Sequence, residues 1–215
     1  MKKYSHTIHL LACGLASFVL FAATVMAGDN LAVNGNFDDG TKGWSFNWRT
    51  GSDTPPQILP DQLAIVTPKE GGNLLRITIP EVTDAGLHEA HGDGAVLKLS
   101  SAIPATSKLL VRLKARSVSG ASCLTIDRLW GGASGIIAQL DSNWKTIEAK
   151  LDLATATPEL CFALTDKIPG EIMTWEGAVE VSEGIYTVPG HYCQFPVQEG
   201  VLEIKDVSVE EVPAQ

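Results

Sequence analysis

The chain has 215 residues, 45% of them apolar and 19% charged, with 20 Gly and 11 Pro. This composition is globular and excludes collagen-like, low-complexity and disordered classes. Sixteen Lys and Arg against 25 Asp and Glu give a net charge of −9, the wrong sign for a protein that lives on phosphate backbones or anionic lipid, so no nucleic-acid partner is expected.

A basic start, Lys2-Lys3, precedes an uncharged apolar run from Leu10 to Ala27, which ends Val25-Met26-Ala27 before Gly28-Asp29. The pattern predicts a secretory signal peptide over residues 1–27, cleaved after Ala27, and a secreted or periplasmic product without a transmembrane segment. An uncleaved anchor is the alternative, and Leu10 to Cys13 loosely mimics a lipoprotein box. Without Lys2 and Lys3, 14 bases face 25 acids, a charge of −11 that favours a soluble monomer.

Residues 28–215 then read as one all-β domain. Short β-rich runs cover 63–67, 74–79, 95–99, 108–117, 123–130, 145–153, 160–165 and 201–209, with breakers such as Pro55-Pro56, Gly71-Gly72 and Gly131-Gly132 between them. Alternation assigns one dry face to each strand. Leu109, Val111, Leu113 and Ala115 oppose Arg112, Lys114 and Arg116, and Ile147, Ala149 and Leu151 oppose Glu148, Lys150 and Asp152. In the same way Leu75, Ile77 and Ile79 oppose Arg76 and Thr78, and Leu160, Phe162 and Leu164 oppose Cys161, Ala163 and Thr165. Two such antiparallel sheets, stacked on their dry faces, make a β-sandwich, and a chain of this length buries roughly 70% of its unfolded surface.

The exported part holds Cys123, Cys161 and Cys193, whose wide spacing does not suit a zinc site. A Cys161–Cys193 disulfide is expected, because it pins the excursion between them, with Cys123–Cys161 as the rival pairing.

The segment Asn34-Gly35-Asn36-Phe37-Asp38-Asp39-Gly40-Thr41-Lys42-Gly43-Trp44 resembles the opening of CenC-like carbohydrate-binding modules. Leu109 to Ser117, Ser142-Asn143-Trp144-Lys145 and Val201 to Val209 follow in the order of that family's central, Trp-Lys and closing strands. Lys205 departs from the closing motif, and residues 166–200 form a longer insertion than usual. The resemblance implies a galactose-binding-like jelly roll that binds a poly- or oligosaccharide without hydrolysing it. It also implies a structural calcium on Asp38 and Asp206, of the kind built from carboxylate and carbonyl oxygens, and places Trp44 and Trp144 in the core. Two other readings stand beside it: a polysaccharide lyase or hydrolase, for which His191, Tyr192 and Gln194 are the residues to consider, and a structural or interaction sandwich without sugar binding.

Planar aromatic faces and polar forks are what a sugar site requires. Trp48, Trp130, Trp175, Tyr186 and Tyr192 are the candidate platforms, the last three in the insertion. Arg112 and Arg116, on a wet face with Arg76 and Lys114, are candidates for acidic groups of a glycan, or for cross-strand pairing with Glu148, Asp127 or Asp152. His88-Glu89-Ala90-His91 lies among glycines and reads as a polar loop rather than a helical zinc motif.

Overall fold

The computed structural model describes residues 29–49, 55–82, 92–105, 107–128, 133–166, 169–190 and 196–212. The leader assigned to residues 1–27, Cys13 included, lies outside them. In chain order the elements are β1 (Trp44–Trp48), β2 (Gln57–Ile58), β3 (Leu63–Val66), β4 (Leu74–Ile79), β5 (Gly94–Ile103), β6 (Lys108–Gly120) and β7 (Cys123–Arg128). Then come β8 (Ser134–Gln139), β9 (Lys145–Asp152), β10 (Thr157–Thr165), the one-turn helix α1 (Pro169–Ile172), β11 (Val179–Ser182), β12 (Ile185–Pro189) and β13 (Gly200–Val212).

The fold is the expected antiparallel two-sheet sandwich. One sheet has eight strands in the order β11-β12-β8-β7-β10-β5-β1-β2, the other five in the order β3-β4-β13-β6-β9. Their inner faces carry the alternating residues: Leu75, Ile77, Leu109, Val111, Leu113, Ile147 and Leu151 from the small sheet, Phe46, Leu97, Leu124, Ile126, Leu160 and Phe162 from the large one, all buried. The alternation breaks down on β10, where Cys161, Ala163 and Thr165 on the outer face are also fully buried. They are small side chains in the middle of the large sheet, flanked by Val96 of β5 and by Thr125 and Asp127 of β7. At the β12 end, the segment after β10 folds back over the outer face. There Ile172 packs with Cys123, Ile137, Tyr186 and Val188, and half-buried Trp175 lies against them. The insertion therefore contributes two strands and a cover.

The N-terminal motif is structural. Asn34 donates to the carbonyls of Gly40 and Lys42 and accepts from the Asp39 amide, which ties the turn to itself. Phe37, at φ +61°, plugs the core against Trp44, their rings 5.4 Å apart. Gly35 is required because a Cβ there would lie 2.0 Å from the Val207 carbonyl oxygen. The contact is made from the other side by a bulge in β13: Lys205 pairs with Lys114 and Ser208 with Arg112, so β13 spends one more residue than β6. The extra residue switches the buried parity from Leu202 and Ile204 to Val207 and Val209, and frees the Val207 amide to donate to Gly35. Asp206, at φ +55°, is the left-handed residue of the bulge. Asp tolerates that conformation better than most residues, which accounts for an acid at this position.

Two outcomes are expected. Asp206→Gly should melt close to wild type, whereas Asp206→Val should lose about 1 to 2 kcal/mol, the cost of the left-handed conformation for a Cβ-branched residue, as read by thermal denaturation. Trp175→Ala should lower stability by about 1 to 3 kcal/mol through lost cover on the outer cluster, and leave any ligand affinity unchanged in calorimetry.

Candidate functional site

The wet face of the small sheet is a row of cross-strand ion pairs. Register puts Glu203 of β13 directly opposite both Arg76 of β4 and Arg116 of β6. Each carboxylate oxygen takes one guanidinium: Arg76 Nε donates to Oε1 at 2.9 Å and Arg116 Nε to Oε2 at 2.8 Å. Glu203 is only 1% exposed, and burial alone would raise its pKa, but the two guanidiniums outweigh that and hold the carboxyl below its ordinary value. Further along, Arg112 pairs with Glu148 and Glu210, Lys114 with Asp206, and Lys108 with Asp152. Of the two roles expected for Arg112 and Arg116, the structure builds the ion pairs. Asp127 belongs to the other sheet and takes no part.

Trp144 continues the row. Ala115 pairs with Lys145, so the next position sets Trp144 beside Arg116, on the wet parity opposite Ile147 and Ala149. Placing it in the core was an error: it is half-buried, with the Arg116 guanidinium 4.7 Å and the Lys205 ammonium 4.5 Å from the ring centre. From there it lines a groove of about 600 Å3 between the start of β9 and the tip of the β11–β12 hairpin. Asp141, Asn143 and Lys145 line the β9 side, Gln139 at the end of β8 the floor, and Glu180 and Glu183 the hairpin side. A second groove of about 540 Å3 lies at the base of the same hairpin, lined by exposed Val179 and Val181 with Lys108, Lys150 and Pro189.

Of the expected platforms, Tyr186 lines the groove at Trp144, and Trp48 and Trp175 do not. Trp48 is in the core, stacked on Phe46 at 5.9 Å, because Trp44, Phe46 and Trp48 form the dry face of β1. Tyr186, on β12 of the insertion, is buried in the outer cluster with Ile172 while it lines the groove, and its hydroxyl pKa is raised by burial and by the charge of Glu180. Trp175 lies against that same outer cluster and is not itself among the residues lining the two grooves. Trp130, Tyr192, Cys193, His88, Glu89 and His91 lie outside the described residues, as do His191 and Gln194.

Cys161 is a fully buried free thiol whose sulfur lies 3.8 Å from the Asp93 carbonyl oxygen. Burial, then the Asp127 and Asp93 carboxylates, push its pKa upward. Cys161 has the outward parity expected of it but is covered, no disulfide is present among the described residues, and its expected partner Cys193 lies outside them. A Cys123–Cys161 bond is ruled out by register: Cys161 pairs with Asp127, four residues from Cys123, or about 13 Å along the strand and well beyond bridging distance.

The residues proposed for calcium do not fit it as arranged. Asp38 accepts from the Asn36 and Asn73 amides at 2.6 and 3.2 Å, and Asp206 from the Lys114 ammonium at 3.0 Å. Among the described residues no group of three or more His, Cys, Asp or Glu side chains gathers in a metal-holding arrangement. Among the described residues no helix is long and apolar enough to cross a membrane.

No protein-family model matches the chain, and no curated protein matches it. Among solved structures it is similar to a CBM4 structure, with 16% identity over 82% of this chain and 99% of that one and a TM-score of 0.43. It is also similar to CtCBM11, with 15% identity, 89% and 99% covered and a TM-score of 0.37. The C-terminal CBM6 of LamC, a marine laminarinase from Zobellia galactanivorans, shares 11% identity, with 67% and 89% covered and a TM-score of 0.29.

The Glu203 fork generates a pH prediction. Its folded pKa is depressed, so its contribution is complete above the unfolded value of about 4.3 and fades as the pH falls below that. Glu203→Gln should therefore cost about 1 to 3 kcal/mol near neutral pH, and thermal melts of mutant and wild type should converge as the pH is lowered from 5 toward 3.

Proposed function

We propose that this chain is an exported, non-catalytic carbohydrate-binding domain whose sugar site is the groove at Trp144. One observation carries the reading: a half-exposed indole set among planar amides and carboxylates in a groove of about 600 Å3. Pyranose rings present apolar C–H faces and a rim of hydroxyls. An indole serves the first, and Gln139, Asn143, Asp141, Glu180 and Glu183 serve the second. Gln139 ends β8 and Glu180 lies on β11, while Asp141, Asn143 and Trp144 sit in the short β8–β9 connection and Glu183 in the hairpin turn, so strands anchor both ends of each segment that carries the site.

A glycan array followed by calorimetry tests it, with a reducing-sugar assay alongside. Binding without release of reducing ends is expected, and release would overturn the non-catalytic part. Asn143→Ala should weaken the bound glycan by about 1 to 2 kcal/mol with an unchanged melting temperature. Trp144→Ala should weaken it by about 1 to 3 kcal/mol. A domain that melts normally and binds no glycan, or whose binding ignores both substitutions, would overturn the assignment.

A further inference from the structure

The groove at Trp144 is lined by three acids, Asp141, Glu180 and Glu183, and one cation, Lys145, while a cationic row adjoins it on the far side of the indole. Glu180 and Glu183 stand on the hairpin side, while Arg116 and Lys205 lie against the indole on the sheet side. Beyond Arg116 the row continues through Glu203 to Arg76. Three cations there face one carboxylate, and that carboxylate is sunk in the sheet at 1% exposure while the side chains of Arg76 and Arg116 are 43% and 34% exposed. In the other pairs on this face charge balances or turns negative: Lys114 has Asp206, Lys108 has Asp152, and Arg112 has two glutamates. Lys150 of β9 has no carboxylate partner among the described residues, but the row that ends at Trp144 is where three cations gather around one carboxylate.

The donors in that row are not exhausted. Arg76 and Arg116 spend Nε and Nη2 on Glu203, and the Nη1 group of each makes no hydrogen bond among the described residues. Lys205 rests on the indole and has no carboxylate partner among the described residues. An ammonium or guanidinium with spare donors, oriented by an aromatic face or a buried carboxylate, is a preformed holder for an external oxyanion.

We propose that the ligand of this groove is an anionic polysaccharide, bearing carboxylate or sulfate groups, whose acid groups are held by Lys205, Arg116 and Arg76. This rests on the reading of the groove as a sugar site. The row from Arg76 to Trp144 crosses three strand spacings, about 14 Å, a span that suits a chain carrying repeated charges rather than one charged sugar. The acidic hairpin wall fixes the orientation: it accepts hydroxyl hydrogens and repels the acid groups toward the cationic row. The net charge of the whole chain, −9, opposes an anionic ligand at long range, but screening over about 8 Å at physiological salt leaves the local row in control.

Calorimetry on the full exported chain tests this with paired probes: oligogalacturonate against its methyl ester, and a sulfated galactan against its desulfated form, with neutral cello- and xylo-oligosaccharides added. The anionic member of at least one pair should bind at least tenfold more tightly than its neutral counterpart, and raised salt should weaken it. Whichever pair responds identifies carboxylate or sulfate as the recognised group. Lys205→Gln should cost about tenfold in affinity for the anionic probe, the size of one lost charge-assisted hydrogen bond, with the melting temperature unchanged. Neutral probes that bind as tightly as charged ones, or a Lys205→Gln protein of full affinity, would overturn the anionic assignment and leave the sugar reading in place. Binding to none of the probes would overturn both.

Discussion

Five strands cannot cover the inner face of eight, and much of this molecule answers that mismatch. On one side the N-terminal loop fills the shortfall, with Phe37 in the core and Ala32 bridging to Leu99 of β5. On the other side β9, the last strand of the small sheet, packs against β8 and β12, and β11 forms the outer edge of the large sheet. Val179 and Val181 of β11 stay exposed, and grooves open between the hairpin and β9. The candidate site thus lies at the β11 edge of the large sheet.

Charge on the small sheet follows a similar economy. Antiparallel register brings like-signed side chains of β6 into one column, which would repel were they not interleaved with Glu203, Glu210 and Asp206 from β13 and Glu148 from β9. Exposed pairs of this kind contribute little to stability individually. Glu203 differs because it is buried between two arginines and depends on both. The arginines, half in solvent, depend on it less, and this asymmetry leaves positive charge facing outward.

Alternation made most of the small sheet legible: the span 74–79 is β4 itself, and the dry faces of β4, β6 and β9 are as the residues dictate. Where alternation fails, so does the reading. β8 contains Gly135, Ile136, Ile137 and Ala138, all buried, since the insertion covers one face and the core the other, so no period of two is visible. β10 is dry on both faces for a related reason. Two features the residues do carry: Trp44, Phe46 and Trp48 alternate as a strand does, which buries Trp48 beside the expected core residue Trp44, and Trp144 has the wet parity of Glu148 and Lys150. The bulge at Asp206 was not legible, because it depends on the approach of Gly35, 171 positions earlier in the chain.

β13 occupies the middle of the small sheet, between β4 and β6. Until residues 200–212 exist, the hairpin β3-β4 and the pair β6-β9, joined through β7 and β8 of the other sheet, are separate two-stranded units. The last strand in the chain is therefore the keystone, and a polypeptide emerging from its N-terminal side cannot close the sandwich piecemeal. Closure must await a contact that spans most of the sequence, a topology associated with slow folding and with a long interval in which unpaired edges are open to other chains. Such a domain stays assembly-incompetent while it is being made and commits in a single late step.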